Sequence, residues 1–269
     1  MTPQPVTLAP GAAFHLEEFD PSYTGTYAAK SDAKGKTKEN LERLTALQEM
    51  LYAQGQHALL IVLQGMDTAG KDGTIKHVMG AYNPQGVQVW PFKVPSKVEL
   101  AHDYLWRVHK VTPPRGLIGI FNRSHYEDVL VVRVLELVPG QVWRKRYDHI
   151  NDFERMLADN DVTIVKFFLH ISRGEQAERL RKRQADPSKQ WKFSPDDLEH
   201  RKLWDDYMRA YEEALTRCNT AHAPWYVIPA NKQWYRNLAV SEILVQTMEA
   251  MGLRYPHPVP DIASYVIPE

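Results

Sequence analysis

One cysteine among 269 residues, Cys218, excludes any intramolecular disulfide and suits a reducing cytoplasm. Long apolar runs are also missing. None approaches the roughly 20 residues of a spanning helix, and no N-terminal stretch has the apolar core of a signal peptide. A cytoplasmic protein with no membrane partner is therefore expected. Nor is there an excess of one charge: 33 Lys and Arg balance 33 Asp and Glu, and the isoelectric point is near 7.2. That balance argues against nucleic acid as a partner, so any polyanionic ligand must meet a local basic patch. The eleven histidines include no H-E-x-x-H spacing, which removes the usual sequence signal for zinc.

What is present is a glycine-rich loop in a telling place. Gly65-Met66-Asp67-Thr68-Ala69-Gly70-Lys71 reads G-x-x-x-x-G-K directly after the apolar run 58–63. A strand before such a loop and a helix after it turn backbone N–H groups and one lysine toward phosphate oxygens. Gly65, Met66, Thr68, Ala69, Gly70, Asp72 and Gly73 are the expected phosphate-binding positions, with Lys71 reaching the transferred group. A plain turn with an incidental lysine is the bland alternative. Asp67 would repel a polyphosphate unless a cation intervenes, which points to Mg²⁺, or Mn²⁺ in its place. Asp72 stands where Ser or Thr usually contacts that metal, and it can instead cap the following helix.

Strands are expected at 58–63, 87–92, 116–121, 162–171 and 225–229, and helices at about 36–54, 70–81, 127–137, 147–159 and 232–252. The alternation implies an α/β protein of three layers, α/β/α, with a central parallel sheet. A single domain over 1–269 is expected, with 1–34 an extended arm and about 173–218 a charged helical lid region inserted between the last two strands. The third strand runs into Asn122-Arg123-Ser124-His125-Tyr126-Glu127-Asp128. Ligands in such sheets bind at the carboxyl ends of strands. Asn122 and Arg123 should therefore face the loop, Arg123 as a bidentate phosphate ligand and Glu127 as the carboxylate that Asn122 does not supply. Helix capping by Asn122 or Ser124 can coexist with that role. In the charged stretch, Arg179 and Arg183 share one helix face next to the breaking turn Asp186-Pro187-Ser188. They can close over a phosphate as a lid, or simply form a solvated face. The tryptophans are assigned mostly to core or interface.

The blocks 65–73 and 121–127, followed by the charged helical stretch, together resemble the polyphosphate kinase 2 family, in family order and over about 36–252. The resemblance implies a P-loop kinase fold, Mg²⁺ dependence, and reversible phosphoryl transfer between inorganic polyphosphate and adenine or guanine nucleotides. It implies Asp67, Lys71, Arg123 and Arg183 as catalytic residues, Asp67 and Glu127 as metal ligands, and a homo-oligomer, dimer or tetramer. Asn122 with Glu127 resembles the subgroup that accepts both AMP and ADP. Two alternatives use the same motifs: an ATP-dependent nucleoside monophosphate kinase, and a nucleotide-binding adaptor without turnover.

Overall fold

The computed structural model describes residues 7–268. Five parallel strands, β1 (Ala58–Gln64), β2 (Val87–Pro91), β3 (Ile118–Asn122), β4 (Val162–His170) and β5 (Trp225–Pro229), form one sheet in the order β2-β3-β1-β4-β5. Every residue of β1 is buried, because a central parallel strand is covered on both faces and its Leu-Leu-Ile-Val-Leu run supplies apolar side chains to each. The register sets Leu63 beside Asn122 and Phe167, so the chain leaves β1 and β3 at the same edge of the sheet. That shared exit brings the glycine loop to Arg123.

The flanking helices are α1 (Lys30–Gln54), α2 (Lys71–His77), α3 (Lys97–Leu100), α4 (Trp106–His109), α5 (Val131–Val134), α6 (Gly140–Trp143), α7 (Arg146–Ala158), α8 (Arg173–Ala185), α9 (Pro195–Lys202), α10 (Trp204–Arg217) and α11 (Gln233–Ala250). Asn40 of α1 donates to Ser241 and Glu242 of α11, each at 3.1 Å, joining the two longest helices. Helices α8 to α10 fill the segment between β4 and β5, and α8 ends at Ala185, just before Asp186-Pro187-Ser188.

Two expectations need correction. α1 starts at Lys30, so the helix replaces the last residues of the arm expected over 1–34; the first six lie outside the described residues. The cause is Asp32, whose carboxylate accepts the Ala29 N–H at 3.0 Å and fixes the helix start early. The helix expected over 127–137 is instead a 3₁₀ turn at His125–Asp128 followed by the single turn α5. Glu136 adopts a left-handed backbone (φ 50°) that stops it.

Beneath that 3₁₀ turn lies a buried polar network. Lys166 of β4 donates to Glu154 of α7, to the Tyr126 hydroxyl at 2.8 Å and to the Cys218 carbonyl at 2.7 Å. Tyr126 donates to Glu154 at 2.9 Å, and His125 Nε2 lies 3.2 Å from the same carboxylate. Burial opposes ionisation of Glu154, but Lys166 and His125 outweigh it and hold the carboxyl below its ordinary value. This buried network fixes the turn that carries Glu127, with only His125 Nδ1 of its members left without a partner among the described residues. Cys218 is fully buried next to it, and burial pushes its thiol up to about 12.

Candidate active site

The loop between β1 and α2 is shaped by its neighbours as much as by any ligand. A Cβ on Gly65 would stand 2.7 Å from the Leu169 carbonyl, and Met66 and Ala69 are buried in the core. These three residues support the loop from behind and can meet a phosphate only through their backbone. Asp67, Thr68, Gly70, Lys71, Asp72 and Gly73 line an open cleft of about 760 Å³, and Asn122, Arg123, Arg179 and Arg183 line it too. Glu127 sits behind Arg123. Thr68 and Arg123 both have left-handed backbones, with φ of 66° and 61°, a local strain common where side chains are aimed for function.

Arg123 bridges two carboxylates. Its Nη2 pairs with Asp67 of the loop, and its Nη1 pairs with Glu127 at 3.2 Å. The second Asp67 oxygen takes His200 Nδ1 of α9 at 3.3 Å. Burial pushes the Asp67 carboxyl upward, but the His200 hydrogen bond and the charges of Arg123 and Lys71 prevail and hold it well below the usual carboxylate range. Lys71 is nearly buried, with Nζ 2.6 Å from the Gly65 carbonyl. Burial and the Arg123 charge push it down to about 8 despite Asp67, Glu127 and Asp72.

Two expected roles change. All five N–H groups of Arg179 are engaged: Nε with Glu175, Nη1 with the Thr68 and Ala69 carbonyls, Nη2 with the Ala230 and Asn231 carbonyls, at 2.6 to 3.0 Å. A guanidinium has no sixth donor, so Arg179 clamps the loop to the β5–α11 connection instead of binding phosphate. Asp72 makes no side-chain cap on α2; it accepts from Asn122 at 2.9 Å and from Lys192 at 3.3 Å. Asn122 is thereby committed to Asp72. Arg183 is held by Asp197 and the Lys192 carbonyl, each at 3.0 Å, at the margin of the cleft.

Several residues at or beside the cleft carry no signal in the sequence. His200 and Arg236 come from α9 and α11, far from the loop in sequence, and no local pattern marks them. Lys93 follows the carboxyl end of β2 and the strand-end rule reaches it. Trp191 departs from the core assignment: it is 78% exposed and lines the cleft, whereas Trp143, Trp204 and Trp225 are buried. Nine Lys and Arg against three Asp line this cleft, in a chain whose formal charge is zero. The local basic patch that a polyanion requires is here.

Hard oxygen donors suit Mg²⁺, which keeps several waters and takes one or two carboxylates together with substrate phosphates. Among the described residues no group of three or more His, Cys, Asp or Glu could enclose a metal ion. Glu127 Oε1 is buried without a hydrogen-bond partner, which leaves one oxygen free beside the Asp67–Arg123 pair. The carboxylates of Asp67 and Glu127, on either side of Arg123, are oxygen donors of the kind an open site completed by phosphate requires.

The His200 contact gives a pH dependence. His200 is raised above its ordinary 6.5, first by its hydrogen bond to Asp67, with burial opposing. A histidine raised on folding stabilises fully below its unfolded pKa and loses that contribution as pH rises through the folded value. Asp67, held below 3.8, contributes above that value and loses its share as pH falls through its folded pKa. The contact is thus strongest between about pH 4 and 6.5. Melting curves without divalent cation should show wild type losing more stability than His200→Gln from pH 6 to 8; parallel curves would exclude the contact as a source.

The Polyphosphate kinase 2 (PPK2) family profile matches residues 27–256. An AMP/ADP-polyphosphate phosphotransferase of Meiothermus ruber is 57% identical over 252 residues, 93% of this chain and 94% of that protein. An ADP-polyphosphate phosphotransferase of Rhodopseudomonas palustris is 44% identical over 267 residues, 92% of each. The crystal structure of polyphosphate kinase 2 from Arthrobacter aurescens TC1 superposes with a TM-score of 0.92 at 44% identity, covering 96% of this chain and 92% of that one. Matched by the family profile from residue 27 to 256 and by these relatives along nearly its whole length, the chain belongs to the polyphosphate kinase 2 family.

Proposed function

We propose that this protein moves the terminal phosphoryl group of inorganic polyphosphate to AMP and ADP, reversibly. The observation that carries the reading is the cleft itself, nine cations against three carboxylates running from the glycine loop to the α8–α9 segment. A cleft so lined suits a chain of phosphates, and the names of the two relatives agree with it.

In the transfer, a nucleotide phosphate oxygen forms a bond to the terminal phosphorus as the bond from that phosphorus to the bridging oxygen breaks. The shortened chain leaves with the electron pair. The attacking oxygen is already anionic, so no strong base is needed, and alignment and neutralisation carry the catalysis. Lys71 and Arg123 stabilise charge on the transferring group. Asp67 and Glu127 orient Arg123 and are the residues to hold Mg²⁺, or Mn²⁺, which when bound neutralises charge on the phosphates. Arg183 and the α8–α9 segment close the cleft as a lid and exclude water, which limits hydrolysis. Guanine nucleotides are the next acceptors after adenine. A homo-oligomer, dimer or tetramer, in the cytoplasm completes the proposal.

The test supplies AMP or ADP with either long-chain polyphosphate or ATP, with and without Mg²⁺, and follows nucleotide products. Polyphosphate with Mg²⁺ should drive ADP and ATP formation. Faster transfer from ATP than from polyphosphate would make the protein a nucleoside monophosphate kinase, and no turnover from either donor would make it an adaptor.

A further inference from the structure

Four arginines line the cleft, and three have a carboxylate partner: Arg123 has Asp67 and Glu127, Arg179 has Glu175, and Arg183 has Asp197. Arg236 differs. It lies in the first turn of α11 at 1% exposure, and its hydrogen bonds run from Nε and Nη2 to the neutral Asn237 side chain, at 3.2 and 2.8 Å. Burial and the neighbouring Arg179 charge push it down to about 10, and no carboxylate contributes.

The loop is built to admit this side chain. A Cβ on Gly70 would stand 1.9 Å from Arg236 Nη1, and one on Gly73 would stand 3.0 Å from Nη2. Gly70 also has φ of 109°, so an L side chain is strained there on two counts. Two glycines of the loop thus make way for a buried cation that has no counter-charge among the described residues. A buried charge without a partner lowers stability, so its retention in the wall of a phosphate cleft calls for a compensating anion.

We propose that Arg236 is a phosphoryl-oxygen anchor on the flank of the glycine loop, its counter-charge being a bound phosphate group. The inference rests on the phosphotransfer reading and adds a residue to it. Non-bridging phosphoryl oxygens are common to polyphosphate and to nucleotides, and the loop lies where either can pass. Arg236 acts from the α11 side of the loop, whereas Arg123 acts from the β3 side, so together they hold a phosphate from two directions.

The experiment uses Arg236→Met, which keeps the length of the side chain and removes the charge, with tripolyphosphate and AMP as separate probes in calorimetry. Binding of at least one probe should weaken by roughly ten- to a hundredfold, and the probe affected identifies the source of the phosphate. Melting without ligand should occur at the wild-type temperature or above, because an unpaired buried charge has been removed. Arg236→Lys should bind with intermediate affinity, since it keeps the charge and loses the planar fork. Unchanged affinity for both probes overturns the proposal, as does a variant that melts lower or fails to fold, because Arg236 would then be structural. A wild-type protein that binds neither probe would refute the phosphotransfer reading itself, a result distinct from a variant that binds as wild type does.

Discussion

A Lys71→Ala enzyme is expected to transfer phosphate from polyphosphate to AMP about a thousandfold more slowly than wild type, the loss that follows removal of a preorganised donor at developing charge. Lys71 opens α2, and its ammonium is among the most buried cations of the cleft. A cation in such surroundings interacts far more strongly with phosphate than one in water. Its position also sets a pH limit. In the free enzyme the ammonium is pushed down to about 8, first by burial and then by the Arg123 charge. The value of kcat/KM for polyphosphate should therefore fall as pH rises through about 8, where the required proton leaves. Lys71→Arg, which holds its proton far higher, should remove that alkaline limb while remaining slower than wild type through altered geometry. Transfer by Lys71→Ala within tenfold of wild type would remove Lys71 from the mechanism.

Replacing Arg123 with Ala is expected to cost a similar factor, about a thousandfold, the low end of what a guanidinium contributes at a transferring phosphoryl group. The reasoning differs, because Arg123 does two things. It faces the cleft, and it also lies between Asp67 and Glu127, which carry like charges. Without it the two carboxylates lose their shared cation, and Asp67 rises back toward its ordinary range. Arg123→Lys should rescue poorly, since an ammonium is a point charge and cannot serve two carboxylates and a phosphate through one planar fork. If Asp67 and Glu127 hold Mg²⁺, Arg123→Ala should also reach its residual rate at a lower Mg²⁺ concentration than wild type. Single-turnover rates over a Mg²⁺ series measure both effects, and an Arg123→Lys enzyme as fast as wild type would show that charge alone suffices.

The parts of this site legible in the sequence were those encoded over short distances. The run into Gly65 states both a buried strand and the turn after it. Asn122 and Arg123 follow from the rule that parallel strands present ligands at their carboxyl ends. The helix break after Ala185 was marked by Asp186-Pro187-Ser188. What escaped reading depends on crossovers between strands. His200 reaches Asp67 across 133 positions, and nothing in the charged run 196–202 separates it from its neighbours. Arg179 shows the opposite difficulty. Its spacing from Arg183 places both on α8, but which backbone carbonyls saturate its guanidinium depends on how β1, α8 and β5 meet. Val131 to Leu135 mimicked a longer helix, because a helical period carries no information about the backbone reversal at Glu136.

Cys218 has a consequence of its own. The only sulfhydryl of the chain is sealed beside the Lys166–Glu154 network, its carbonyl bound to that lysine and its thiol protonated at any ordinary pH. The thiolate is the form that oxidants and alkylating reagents attack, so this thiol should be indifferent to the redox state of the surroundings while the protein is folded. Labelling of that sulfur requires the wall between β4 and α10 to open. The rate at which a thiol reagent reaches Cys218 therefore serves as a clock for the breathing of the core under the active site, readable without any substrate.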